Sequence, residues 1–557
     1  MSRTHRGTTP PDAPSYGVTW GGVPFHARQV ATVATAALII AGLAGPATAS
    51  AATTSSSSSA PEVSVIVREL AGAGNGPEKA VSAFGGSVGR QLDVINGFSA
   101  KVPNDRLDAL RAVPGVQSVT QDAGLSLSST DVADQASQPG SLYTIANQLT
   151  GASSLWDKGY TGKGVDVAVV DSGVVPVDGL KGKVVYGPDL TLEANTAAKN
   201  LDAYGHGTHM SGIIAGRDAA TTNPSGDSSN FVGMAPDSRI VSIKVADAKG
   251  QTDVSQAIAA IDWAVENRDK NGLNIRVLNM SFGTDGVQSY LLDPLAYAAE
   301  QAWHKGIVVV VAVGNEGFGT GKVNNPADDP YLIAVGSDST NGTATTADDT
   351  VSSFSNSGDG TRNPDVLAPG DHVVSLRDQG SYLDTQYPAA RIGDRLFRGS
   401  GTSQATAVVS GAAALLISQR PELTPDQVKA LLTGTARSLP DAAVSSQGHG
   451  LIDLAAASAA PAPANATQTF AVSTGVGSLE ASRGSVHVTV GGKQVKGEVD
   501  VRGRAFNSGA VAAGIKAGTN WNGMTWSGMT WSGMTWSGMT WSGMTWSGMT
   551  WSGMTWS

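Results

Sequence analysis

Seven apolar residues run without a break from Ile307 to Val313, with Gly306 before them and Gly314 after. A strand with one wet face alternates apolar and polar residues. An unbroken run needs cover on both faces, as in a parallel sheet between helices. The run does not stand alone. Val165 to Asp171, Ile240 to Val245 and Ile275 to Met280 also read as strands. Between them lie helical patterns. Val254 to Glu266 puts Val254, Ile258, Ile261 and Val265 on one face, and residues 290–304 read as another helix. Alternating strands and helices predict a doubly wound α/β domain whose site lies at the strand ends.

Three polar residues stand at the edges of such elements. Asp171 closes an apolar strand, and His206 opens an apolar helix inside Gly205-His-Gly-Thr-His-Met. Ser403, in Gly401-Thr-Ser-Gln-Ala, opens an Ala-, Val- and Leu-rich run to about Gln419. A hydroxyl at a helix start has free N–H groups and the positive dipole end beside it. Alone, Ser403 would read as a helix cap. With His206 to take its proton and Asp171 to fix the imidazole, it reads as a nucleophile. The chain order Asp, His, Ser argues against an α/β-hydrolase, which runs Ser, acid, His around G-x-S-x-G.

Asp171-Ser-Gly, Gly205-His-Gly-Thr-His and Gly401-Thr-Ser-Gln-Ala resemble the three signatures of the subtilisin-like serine proteases, the subtilases. A fourth stretch, Val308 to Gly317, also matches. The resemblance implies that Asp171, His206 and Ser403 form the catalytic triad and that Asn315 donates to the oxyanion. It implies that Ser281, Phe282 and Gly283 pair with the substrate backbone, and that Ala312, Val313 and Gly314 line the primary side-chain pocket. Peptide or protein substrates follow, bound by strand addition. No cofactor is needed for this chemistry. Structural calcium occurs in some subtilases, but the oxygen-rich loop Arg217 to Asn230 fits no calcium motif and reads as a solvated loop. His209 lacks the spacing and the Glu of a zinc protease and reads as a buried residue behind the site.

The whole chain has 557 residues, a net charge of −10 and no Cys. Disulfides are excluded, and nothing basic suggests nucleic acid. Arg3, Arg6 and Arg28 precede the apolar run Val30 to Leu43 and a small-residue stretch ending near Ala49 or Ala51. This pattern predicts a cleaved signal peptide, residues 1–51, and a secreted protein. The run is shorter than the ~20 residues that span a membrane.

After a Ser-rich linker (52–60), residues 61–128 read as a small α+β unit. Val63 to Val67 is a strand, and Glu78 to Phe84 is a helix. Two extended pieces meet at Asn96-Gly97, and Asn104 caps a helix bearing Leu107, Leu110 and Val113. Gly97 to Pro103 and Leu110 to Val116 resemble the inhibitor-like propeptide of subtilases. That resemblance implies an intramolecular inhibitor that is removed.

The peptidase domain is expected over 129–458, and a linker with a small β-rich segment over 459–519. Over 520–557 a Trp-Ser-Gly-Met-Thr repeat, low in complexity, brings Trp back every five residues from Trp521 to Trp556. Such a tail suits cell-wall or surface contact. A rival expectation is a catalytically degenerate surface protein acting through that tail.

Overall fold

The computed structural model describes residues 61–92, 96–121, 138–485 and 487–519. The signal-peptide run, the connection at 128/129 and the Trp repeats lie outside the described residues. The chain divides at Leu125/Ser126 into two compact units.

The first unit runs β1 (Glu62–Glu69), α1 (Gly76–Ala83), β2 (Ser87–Leu92), β3 (Gly97–Pro103), α2 (Leu107–Arg111) and β4 (Val116–Gln121). Its antiparallel sheet has the order β2-β3-β1-β4, with Glu62 opposite Pro103 and Arg68 opposite Gly97. Val65, Val67, Val81, Phe98, Val102 and Leu110 form a core without exposed surface. Asn96 takes φ 48° at the turn before β3, a left-handed conformation that Asn tolerates better than most residues. Asn104 does not cap the last helix as expected. It opens a 3-10 turn, Asn104–Arg106, and the α-helix starts at Leu107.

The second unit holds the predicted doubly wound sheet. In chain order it contains β5 (Asp166–Asp171), β6 (Val184–Asp189), α3 (His206–Ala215), β7 (Arg239–Lys244), α4 (Val254–Asn267), β8 (Ile275–Met280), α5 (Pro294–His304), β9 (Val308–Ala312), β10 (Ile333–Ser339), β11 (Thr350–Val351), β12 (Val366–Pro369), α6 (Thr402–Gln419) and α7 (Pro425–Gly434). The sheet order is β11-β10-β9-β8-β5-β7-β6, with β12 also on β10. Every pairing is parallel except β10 with β11. The chain therefore reverses its direction of winding at β5, and a crevice opens there beyond the strand ends.

All residues of β5 and β9 are buried, which requires helices over both faces. α3 packs with α6, and α4 with α5. Asp253 caps α4 and Thr424 caps α7, each in a reciprocal box with the Gln three residues on. α6 is buried from Thr402 to Ile417 and runs under β8, β9 and β10.

The expected domain end near residue 458 is not where the packing ends. Beyond it the chain lies along α5 and the loop before it. Ser473 N donates to Glu300 Oε2 (2.8 Å), Thr474 N to Leu291 O (2.8 Å) and Gly477 N to Leu292 O (2.7 Å). Two helices follow, α8 (Leu479–Arg483) and α9 (Ser508–Ala517), the latter against α5. The strand content of this segment is one short pair, Thr489–Val490 with Lys493–Gln494. Among the described residues no helix is long and apolar enough to cross a membrane.

Candidate active site

Asp171 is the last residue of β5, at the point where the winding reverses. His206 is the first residue of α3. The two glycines around it explain why this helix can reach the strand. Gly205 takes φ 104°, and a Cβ there would stand 2.5 Å from Ser381 Oγ. A Cβ on Gly207 would stand 2.2 Å from Gly173 O. The Gly207 contact is with main chain just past β5 and forbids a side chain, so α3 packs backbone-close there, while Gly205 supplies the left-handed turn into the helix beside Ser381.

The imidazole Nδ1 of His206 then lies 2.8 Å from Asp171 Oδ1 and 2.9 Å from Oδ2. Asp171 also accepts Ser172 N (2.8 Å), so its orientation is fixed from the backbone. Burial pulls the His206 pKa down, but the charge and hydrogen bond of Asp171, with Asp202 farther off, raise it above the ordinary 6.5. His209, one turn on, is buried and neutral. Burial, with the nearby His206, pushes its pKa down to about 3, and neither ring nitrogen has a hydrogen-bond partner.

Ser403 lies in the first turn of α6, buried. Its Oγ donates to Ser281 O (2.9 Å), and Ser281 Oγ donates back to Ser403 O (3.1 Å). Ser281 follows β8 directly. Asn279, buried in β8, donates to Ser281 Oγ (2.9 Å) and accepts Ser410 Oγ of α6 (2.9 Å). A polar ladder thus locks the end of β8 to the helix that carries Ser403. The hydroxyl meets the Ser281 carbonyl, and no hydrogen bond joins it to His206. Resting enzymes commonly leave such catalytic contacts loose until substrate binds.

Asn315 follows β9. Its Oδ1 accepts Thr402 N (2.8 Å) and Thr402 Oγ1 (3.0 Å). Both donors fix the amide orientation, which leaves Nδ2 as the free end on an exposed side chain. Ser403 N–H, in the first turn of α6, has no intrahelical acceptor.

A cleft of about 170 Å³ joins Asp171, His206, Tyr204, Ser281 and Phe282. A second cavity, of about 240 Å³, adjoins it and includes Phe282 and Gly283. Ala312 and Val313 line neither cavity, and Val313 is packed in the core. Gly314 is buried behind Asn315, with Asn324, Asn356 and Glu316 close around it. In the loop Arg217 to Asn230 the carboxylates are already engaged. Asp218 pairs with Arg395 and Asp227 accepts Ser229 N and Asn230 N.

One member of the site escaped the sequence reading. Asp202 is buried and accepts Ser172 Oγ (2.8 Å), Gly205 N (2.6 Å) and Thr208 N (2.8 Å). It ties the residue after Asp171 to the start of the His206 helix. Its sequence signal is an Asp four residues before the His at a helix entry, where carboxylates satisfy first-turn N–H groups.

A serine on a helix start, a carboxylate-held His and an asparagine amide are gathered at the ends of β5, β8 and β9, an arrangement that suits serine hydrolase chemistry on a doubly wound sheet. Residues 162–450 match the model of the Subtilase family, Peptidase_S8. The chain is 37% identical over 299 residues to the serine protease AprX of Bacillus subtilis (strain 168), covering 53% of this chain and 66% of that one. It is 32% identical over 382 residues to subtilisin E of the same strain, covering 68% and 84%. Against the subtilisin of Bacillus pumilus it is 35% identical over 311 residues, covering 55% and 95%. The chain belongs to the subtilase family and is a subtilisin-like serine endopeptidase.

Proposed function

We propose that this chain is made as a zymogen and hydrolyses peptide bonds outside the cell through Asp171, His206 and Ser403. The observation that carries the reading is the double contact of His206 Nδ1 with Asp171, in the same cleft as the Ser281 that holds Ser403. Substrate entry frees Ser403 Oγ from Ser281 O. Oγ attacks the carbonyl carbon, and its proton passes to His206 Nε2. The carbonyl π pair moves to oxygen, where Asn315 Nδ2 and Ser403 N–H donate to the oxyanion. Collapse expels the amine, which takes the proton from His206. Water then cleaves the acyl-enzyme, its proton passing to His206 and on to the departing Oγ.

Residues 61–128 act in this reading as the intramolecular inhibitor, removed by the enzyme's own cleavage in the stretch between Asp122 and Leu142. The leader-like pattern around Val30 to Leu43 supports export, and the repeats after Trp521 a surface contact. A fluorophosphonate that reacts with activated serines tests the reading. It is expected to stop casein hydrolysis and to leave one adduct, on Ser403, in peptide maps. An adduct at another serine, or undiminished hydrolysis beside full labelling, overturns it.

The pH profile follows from the His206 environment. The base must be neutral to accept a proton, and its pKa is raised. The acid limb of kcat/KM is therefore expected above pH 6.5, and Asp171→Asn is expected to move that limb downward. Stopped assays on a peptide anilide from pH 4 to 10 measure both. A limb that stays in place in Asp171→Asn would mean that another group governs it.

A further inference from the structure

The second cavity is built by two parts of the chain far apart in sequence. Gly250, Thr252 and Phe282 belong to both cavities, so a bound chain can run from the catalytic cleft into the second one. Val254, Ala257 and Leu295, from the first turns of α4 and α5, give it an apolar lining. Gln251, Asp253 and Thr284 add polar groups, and one wall is Arg483, His487 and Val488, from the segment after the expected domain end.

That wall is fixed in place. Arg483 Nε donates to Asp253 Oδ2 (2.7 Å), and both side chains are 1% exposed. His487 Nε2 lies 2.9 Å from Glu480 Oε1. Val488 packs with Val495 and Val501 in a small cluster of its own. Ser482, next to Arg483, donates through Oγ to Asp293 Oδ1 (3.0 Å) and accepts Asn325 Nδ2 at the same oxygen (3.1 Å). The charged groups of the wall are thus engaged with one another. What the cavity offers an occupant is mainly the hydrocarbon of Val254, Ala257, Phe282, Leu295 and Val488, with the polar side chains of Gln251, Thr252 and Thr284 beside it. Pockets of that character read apolar side chains.

We propose that Arg483, His487 and Val488 make this C-terminal segment part of the substrate-binding surface, closing a pocket that selects an apolar substrate side chain away from the scissile bond. The proposal rests on the endopeptidase reading above. Strand addition would deliver alternate side chains of an extended substrate to successive pockets, and this cavity is the neighbour of the cleft. Narrowing an apolar pocket by a few carbons changes selectivity by about 10-fold to 200-fold.

The test uses the mature wild-type enzyme, Val488→Phe and His487→Ala, each checked by thermal melting. Peptide mixtures randomised at every position around the cleaved bond are digested and read by mass spectrometry. In wild type, one position not adjacent to the cleaved bond is expected to favour Leu or Phe over Ala. Val488→Phe should lower that Leu-to-Ala ratio by about 10-fold or more. His487→Ala, which opens the same wall without crowding Val495 and Val501, should shift the ratio towards larger side chains. Cleavage by both variants with the wild-type profile overturns the proposal and leaves the endopeptidase reading standing. A loss spread evenly over all positions also overturns it, because that is the signature of a merely structural wall. A wild type that cleaves no peptide overturns the endopeptidase reading itself.

Discussion

Ser403→Ala is expected to lower kcat on a peptide anilide by about 10⁶-fold and to leave residues 61–121 joined to the rest of the chain. The scale is taken over from the same removal in subtilisin, a relative, where loss of the serine costs nearly as much as loss of the whole triad. The residual rate comes from binding and the oxyanion donors, so the variant should stay above the uncatalysed rate by about 10³-fold to 10⁴-fold. The fold should not suffer. Ser403 Oγ makes one hydrogen bond, to Ser281 O, while the reverse bond from Ser281 Oγ goes to the Ser403 main chain and survives. Steady-state anilide turnover, N-terminal sequencing and melting read the three expectations separately. A pure Ser403→Ala protein that still matures at the wild-type rate would sink the self-processing reading.

Arg483→Ala is expected to destabilise the second unit by about 3–5 kcal/mol, the usual cost of leaving one member of a buried ion pair without its partner. Arg483 and Asp253 are both 1% exposed, so solvent screens little of their attraction. Asp253 is also the cap of α4, accepting Ser255 N at 3.0 Å. Removing Arg483 therefore leaves a stranded carboxylate at the start of a core helix. It also strips a donor from Gly497 O and Val499 O, loosening the last part of the chain. Urea unfolding on a Ser403→Ala background avoids self-digestion. A loss under 0.5 kcal/mol, roughly the effect of a surface change, would show that the wrap contributes nothing to the fold.

These two sites differ in how far the sequence foretold them. Asp171, His206, Ser403 and Asn315 could be singled out because each stands at the border of an apolar run: Asp171 and Asn315 follow one, while His206 and Ser403 open one. β8 and the N-terminal end of α4 were legible for the same reason, an apolar pattern with sharp borders. β6, β10 and β12 were not read as strands. Val184–Asp189 ends in Gly-Pro-Asp, Ile333–Ser339 carries Gly, Ser and Asp, and Val366–Pro369 is four residues long. Their strand state comes from the neighbours they pair with, not from a pattern of their own.

The wrap after residue 458 was illegible for a further reason. It is held partly by main-chain donors of Ser473, Thr474 and Gly477, which any residue but Pro supplies, and partly by side chains far back in the chain, such as Tyr290, Tyr331 and Gln427. Arg483 carries no local sequence signal, because its partner Asp253 lies 230 positions away. Val313, just past β9, is packed in the core, while Asn315, two residues on in the same loop, is exposed; no strand pattern in the sequence separates the two.

The helix that carries Ser403 in its first turn is also the keel of the sheet. α6 has no wet face from Thr402 to Ile417, and its first turn is tied to the ends of β8 and β9. Ser403 therefore has no suspension of its own, no hinge or loop to take up a jolt before the scaffold feels it. Heat, denaturant or a clumsy substitution under β8 to β10 should reach turnover and unfolding together. Such an enzyme fails as one piece, and its rate serves as a running readout of its own interior.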